Sequence, residues 1–449
     1  MPDSLRDSRQ RVISKLVLFP WRSFRLHSIA LGWVSAGKLM LLTGNAVLIV
    51  FLSQRLNLDT YGIFVAVVGA QLLVSRVLML GVDAGMIRLK TVGELRVRAE
   101  ELERAGFLVI ARSSVLLLMA TLLLGPMVFH YAAPKWSFGL VLAVALGAIG
   151  QALVDYVYSY HLSHLAYRKA ALVQGGTALA RLVLTATASL LIPQSPLPVF
   201  LSYTGVVFAV GVWLALAICG RSGAAPKSAI LRKLLSYSLW QGGVNIAGAF
   251  SLHQGTFLLV YLGYKGAAGI FGMGLTMSLG FFAIYMGVSE FVFSRIVRLG
   301  SLDRLPRFLL KASGASVLVA LSCVPVALAL GTIAPYILKQ QLWTSIPAFF
   351  WLTAAMLVLI LQAPFQAACH YLMKPDFVAI GWVVRIASIA LLGWRAAPVY
   401  GAAGVAAAQF GGSVIGLSTF LVLVLIATRL APASVAEAQE LDGRIAYAE

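Results

Sequence analysis

The chain has 449 residues, of which 60% are hydrophobic and only 11% charged, and its mean hydropathy is +0.90. That balance excludes a soluble globular domain, which carries about 25% charged residues. Repeated apolar runs of roughly 18 or more residues, without period-two alternation, predict membrane-spanning helices and exclude a barrel. A net charge of +19 raises the question of nucleic acid, but its distribution along the chain argues against that.

In chain order, a basic arm at 1–28 comes first, with Phe19, Trp21 and Phe24 set among arginines, and reads as an interfacial segment. Its length, and Lys38 inside the first apolar run, argue against a cleavable signal peptide. Hydropathy then predicts twelve spans, at about 29–53, 60–87, 106–130, 137–160, 171–193, 199–219, 235–261, 267–292, 308–331, 346–369, 377–395 and 401–427. The expected architecture is an all-α membrane protein: an N-lobe at 29–219, a linker at 220–234, a C-lobe at 235–427 and a polar tail at 428–449. Gly62-Ile63-Phe64 opens the second span and Gly269-Ile270-Phe271 the eighth. Six spans per half give both halves the same orientation, so the repeat would be parallel, about a pseudo-two-fold along the membrane normal.

The positive-inside rule places both termini in the cytosol. On that topology the cytosolic segments hold 25 of the 35 Lys and Arg residues, against five outside: Arg55, Lys135, Lys265, Lys339 and Arg395. The basic character is then a topology signal plus contact with anionic lipid headgroups. No connecting loop is long enough to fold alone, which counts against a membrane-embedded polymerase or glycosyltransferase.

Inside the spans, Lys38, Arg76, Arg181 and Arg385 lie near mid-membrane. Each would cost about 2.5–3.5 kcal/mol if it faced lipid, so the four are expected to line a shared polar cavity suited to an anionic cargo. Helical spacing sets polar stripes around them: Ser35, Lys38 and Asn45; Gly62, Gly69, Arg76 and Asp83; Gly147, Gln151, Asp155 and Tyr158; Gln174, Thr177, Arg181 and Thr185; Gln241, Asn245 and Thr256, with His253 alongside. Asp83, Asp155 and Glu290, with Arg112, lie nearer the cytosolic ends. Each feature also admits a purely structural role. Arg112 and Glu290 can snorkel, Asp83 can neutralise an arginine, His253 can pack, and Gly401, Gly404, Gly412 and Gly416 can serve helix contact. Cys219, Cys323 and Cys369 have no metal or disulfide spacing. No metal motif, phosphate-binding loop or nucleophile elbow is present, so neither a cofactor nor catalysis is expected.

The stretches Tyr61-Gly62-Ile63-Phe64, Gly81-Val82-Asp83-Ala84-Gly85-Met86-Ile87-Arg88 and Leu231-Arg232-Lys233-Leu234-Leu235, with twelve spans in two parallel halves, resemble the oligosaccharide-lipid flippases of bacterial surface polysaccharide pathways. These belong to the multidrug/oligosaccharidyl-lipid/polysaccharide exporter superfamily. The resemblance spans about 29–427. Unlike lipid II flippases, which typically have fourteen spans, the chain has twelve. Drug exporters of the superfamily often place acidic residues in the cavity for cation coupling, whereas here the first span carries Lys38 and the seventh Asn245, His253 and Gln254. The resemblance implies a bacterial cytoplasmic-membrane protein moving undecaprenyl-diphosphate-linked oligosaccharide outward, in contact with membrane lipids and other polysaccharide-assembly proteins. Lys38, Arg76, Arg181 and Arg385 would then hold the diphosphate, and Gln151, Gln174, Asn245 and Tyr158 the sugars. Asp83, Asp155 and Glu290 are the candidate ion-coupling residues. A cation-coupled exporter of small amphipathic molecules is the alternative.

Overall fold

A computed structural model describes residues 39–83, 85, 86, 99–131, 138–191, 196–219, 228–296, 299, 302–338, 340–372 and 374–430, together with Trp33, Ala36 and Gly37. The arm at 1–28, the tail at 431–449 and Lys38 lie outside these residues. Within them the chain is helical throughout, the form in which a spanning segment satisfies its own backbone.

The helices are α1 (Leu39–Arg55), α2 (Leu58–Met79), α3 (Ala99–Tyr131), α4 (Phe138–Ser163), α5 (Tyr167–Leu191), α6 (Pro196–Cys219), α7 (Ser228–Tyr261), α8 (Lys265–Ile296), α9 (Leu305–Ile337) and α10 (Ser345–Tyr371). A final helical stretch, Pro375–Leu430, is broken at Gly401, whose φ of 55° and ψ of −131° are not helical. We number its parts α11 (375–400) and α12 (402–430). Packing shows that α12 turns back on α11. Space for a side chain is closed at Gly393 by Ala408, at Gly412 by Ile389, at Gly416 by Arg385 and at Gly381 by Phe420. These pairs step away from Gly401 evenly on both sides, as in an antiparallel hairpin. Among the described residues twelve helices therefore lie along the twelve expected spans, and nine helical stretches, with α11 and α12 taken as one, are long and apolar enough to cross a membrane. α7 begins at Ser228, so residues 228–234, read from sequence as linker, form its first turns.

Local signals account for several boundaries. Asn57 caps α2 by accepting from the Thr60 amide at 2.8 Å. Leu80 (φ 46°) and Gly81 (φ 74°) end it in the left-handed region. Exposed Tyr261, Tyr264, Tyr336, Trp343, Trp394 and Tyr400 lie near the connections α7–α8, α9–α10 and α11–α12 of the C-terminal half, where interfacial aromatics are expected.

In the N-terminal half α4 is central, packing on α2, α3, α5 and α6. In the C-terminal half α10 packs on α8, α9 and the α11–α12 hairpin. The halves meet chiefly where α2 lies against α7 and α8. At the α2–α8 crossing a Cβ on Gly62 would meet the Lys265 carbonyl at 1.9 Å and the Gly269 nitrogen at 3.0 Å. Reciprocally, a Cβ on Gly269 would meet the Leu58 carbonyl at 2.9 Å and the Gly62 nitrogen at 3.2 Å. Lys265 follows Leu58 by the same interval as Gly269 follows Gly62. The contact is thus self-complementary, the signature of a two-fold axis running between the two glycines.

Candidate functional site

Arg181, on α5, is 3% exposed and turned into the N-terminal half. Its guanidinium donates to Asn45 Oδ1 of α1 at 3.3 Å, to the Tyr203 hydroxyl of α6 at 3.1 Å and to Gln151 Oε1 of α4 at 3.0 Å. It also lies over the Tyr203 ring, 4.5 Å from the centroid. Small residues let these helices close around it: α1 meets α5 at Gly44 against Ala178, and α4 meets α6 at Gly150 against Phe208. Thr177, one turn away, turns its hydroxyl back to the Val173 carbonyl at 2.7 Å and so makes no demand on the site.

The network continues through Gln151, whose amide donates to Asp155 Oδ1 at 2.9 Å. Asp155 Oδ2 lies 3.4 Å from Arg76, and Arg76 is 3.8 Å from Asp83 Oδ2. Arg76 has 34% of its side chain exposed, Asp83 21% and Asp155 13%. The part-open end of the network is therefore the ion-paired one, and Arg181 stands behind it on neutral partners. An ion pair in this half-exposed setting keeps more of its solvation than a sealed one and remains free to exchange partners.

Arg385, on α11, is 1% exposed and lies apart from that network. Its guanidinium sits 5.1 Å from the Trp382 ring centroid, and its Nε and Nη1 are buried without a hydrogen-bond partner. Gly416 on α12 leaves room for its stem, with a Cβ there falling 3.1–3.5 Å from its aliphatic carbons. Tyr285 of α8 lies within electrostatic range, its hydroxyl donating to Gln366 Oε1 of α10 at 3.3 Å.

The structure thus joins Arg76, Arg181, Gln151, Asp83 and Asp155 into one chain of contacts and separates Arg385 from them, where sequence predicts one shared cavity. Gln174 is half-buried on α5, its Oε1 unpartnered. Asn245 accepts from Gln241 at 3.3 Å on α7. Tyr158 is half-buried on α4, with Glu290 of α8, itself exposed, within electrostatic range. His253 is buried against Gly69 of α2, at the contact between the halves. Sequence reasoning missed Tyr203, Trp382, Tyr285 and Gln366. Their only signal was a polar-tipped side chain inside an apolar span. Among the described residues no group of His, Cys, Asp and Glu is placed to hold a metal.

Solved structures share this arrangement. The lipid II flippase MurJ in an inward closed conformation superposes with a TM-score of 0.67 at 11% identity, covering 92% of this chain and 90% of its own. An outward-facing multidrug resistance MATE family transporter of the MOP superfamily gives 0.60 at 12%, covering 90% of this chain and 96% of its own. The fold is that of the MOP-superfamily transporters. A further member, from Pyrococcus furiosus and described as having a binding pocket of reversed polarity, gives 0.58 at 12%, over 92% and 96% of the two chains. No family model and no curated protein matches the sequence.

Proposed function

We propose that the protein flips a polyprenyl-diphosphate-linked oligosaccharide across a bacterial cytoplasmic membrane, with both termini cytosolic. The halves would rock against each other, making and breaking the α2–α8 crossing, so that the site is open to one side at a time. The observation that carries this reading is a fully buried arginine in each half, Arg181 and Arg385, neither with a carboxylate within salt-bridge distance among the described residues. In the N-terminal network two arginines face two aspartates, so the surplus positive charge among these groups is that of Arg385, and a buried surplus of that sign disfavours a cationic drug and favours an anionic cargo. Arg181 backs the half-open Arg76, and the phosphates of an arriving cargo offer Arg76 a replacement for its carboxylates in bidentate geometry. Gln151, Gln174, Asn245 and Tyr158 supply amides and a hydroxyl for sugars, while the lipid tail stays in the bilayer.

The test is Arg181→Ala. Its loss frees three neutral partners, which can pair with one another, and strands no directly paired acid. The variant should therefore stay abundant in the membrane while export of lipid-linked oligosaccharide is lost, and Arg181→Lys should retain part of it. Normal abundance with normal export would remove the reading's main support.

Asp83 and Asp155 favour a second reading, a cation-coupled exporter of small amphipathic molecules. Both are part-exposed and share one arginine, so protonation of either would shift that arginine onto the other and protonation of both would release it. Transport in proteoliposomes that follows an imposed proton or sodium gradient, and that lipid-linked oligosaccharide does not inhibit, would establish this alternative.

A further inference from the structure

Arg181 and Arg385 occupy counterpart helices, the fifth of each half. They are 204 residues apart, within one helical turn of the 207-residue interval between Gly62 and Gly269. Both are buried and both lie beside an aromatic ring. They differ in one respect. Each has its Nε buried without a partner, but Arg181 directs both terminal nitrogens at three oxygens, whereas Arg385 Nη1 is also enclosed with nothing to donate to. A charged group left this way costs several kcal/mol.

No hydrogen bond from Arg385 Nε or Nη1 forms among the described residues, and a further donor lies beside them. The indole nitrogen of Trp382, 4% exposed, also lacks a partner. The Tyr285 proton is committed to Gln366. Gln362, one turn along α10 from Gln366, is fully buried with both amide atoms unpartnered. Trp382 belongs to an aromatic and aliphatic core that also holds Phe281, Phe349, Met356 and Phe420.

We propose that the C-terminal half holds a binding site for a small monovalent anion of the chloride class, seated on Arg385 and Trp382. One enclosed positive charge is neutralised by one negative charge. A phosphate dianion would leave a net charge buried, and a strongly hydrated anion would lose more on entry than the site returns. The anion would stabilise the C-terminal half whatever the cargo, so the site is separate from the transport network around Arg76 and Arg181.

The experiment uses the purified full-length chain in detergent, with radioactive chloride at equilibrium. Thermal unfolding is followed in parallel while chloride replaces gluconate at constant ionic strength. One saturable chloride per chain is expected, with a melting temperature that climbs with the logarithm of chloride concentration above the dissociation constant. Arg385→Met should abolish both effects and still fold, because an apolar isostere removes the buried charge. Trp382→Phe, which keeps the ring and deletes the indole donor, should weaken binding about tenfold. Arg112→Gln, at an exposed position on α3, should change neither effect. Absence of saturable binding, an equal response to gluconate, or binding that persists in Arg385→Met would overturn the proposal. If Arg385→Met yields no folded protein, unchanged affinity in both Trp382→Phe and Arg385→Lys overturns it. No cargo or gradient enters the assay, so its failure is distinguishable from failure of the flippase reading; a positive result would answer the Arg385 charge with chloride and leave that reading to rest on Arg181 and the exchangeable pairs of Arg76.

Discussion

The crossing of α2 and α8 gives a prediction whose size follows from coordinates. In Gly62→Ala the new methyl would lie 1.9 Å from the Lys265 carbonyl oxygen, a backbone atom that cannot rotate away. Relief requires the two helices to part by about 1 Å, and overpacking of this kind costs about 1–3 kcal/mol. The contact joins the two halves at the end where both helices begin, so separating the halves at that end removes the whole cost. The substitution should therefore shift the balance toward the state open at that end by about 5- to 150-fold. Gly269→Ala puts its methyl 2.9 Å from the Leu58 carbonyl, also too close but less so than the 1.9 Å at Gly62, and should produce the same shift more weakly. A cysteine pair made by Asp59→Cys and Gly266→Cys reads this equilibrium. Asp59 Oδ1 lies 3.1 Å from where a Cβ on Gly266 would sit, so the pair should oxidise readily in the closed state. Disulfide yield should fall strongly with Gly62→Ala and slightly with Gly269→Ala. Equal yields with and without Gly62→Ala would refute the assignment of this crossing as a contact made and broken in the transport cycle.

Three further outcomes are expected. Tyr203→Phe deletes the 3.1 Å acceptor of Arg181 while keeping the ring beneath it, and should cost about 1.5–3 kcal/mol in thermal unfolding of the purified protein, a loss that would be absent if that hydrogen bond did not form. Asp155→Asn should destabilise more than Asp83→Asn, because Asp155 is closer to Arg76, more enclosed and also tied to Gln151; the reverse order in the same assay would contradict the network. Reporter fusions at Ser222 and Glu449 should both signal cytosol, and an outside signal at either would overturn the proposed topology.

The sequence by itself determined the helices. A spanning segment must satisfy every backbone group internally, so span, length and approximate depth are properties of a local stretch of chain and show directly in hydropathy. The buried cations were legible for the same reason, since a charge inside an apolar run is conspicuous at any distance from its partners. The repeat was visible as two matching tripeptides, but that their glycines face each other across a two-fold axis was not, because the match concerns residue types and the contact concerns backbone approach. Partnership was decided only by the tertiary structure. Asn45, Gln151 and Tyr203 reach Arg181 from three helices distant in sequence. Two aspartates converge on Arg76, and none of the described carboxylates reaches Arg385. Which charge is answered and which is left over depends on how α4, α5 and α6 rotate about their axes. Packing at glycines such as Gly150 and Gly416 sets those rotations, and no local pattern in the sequence records them.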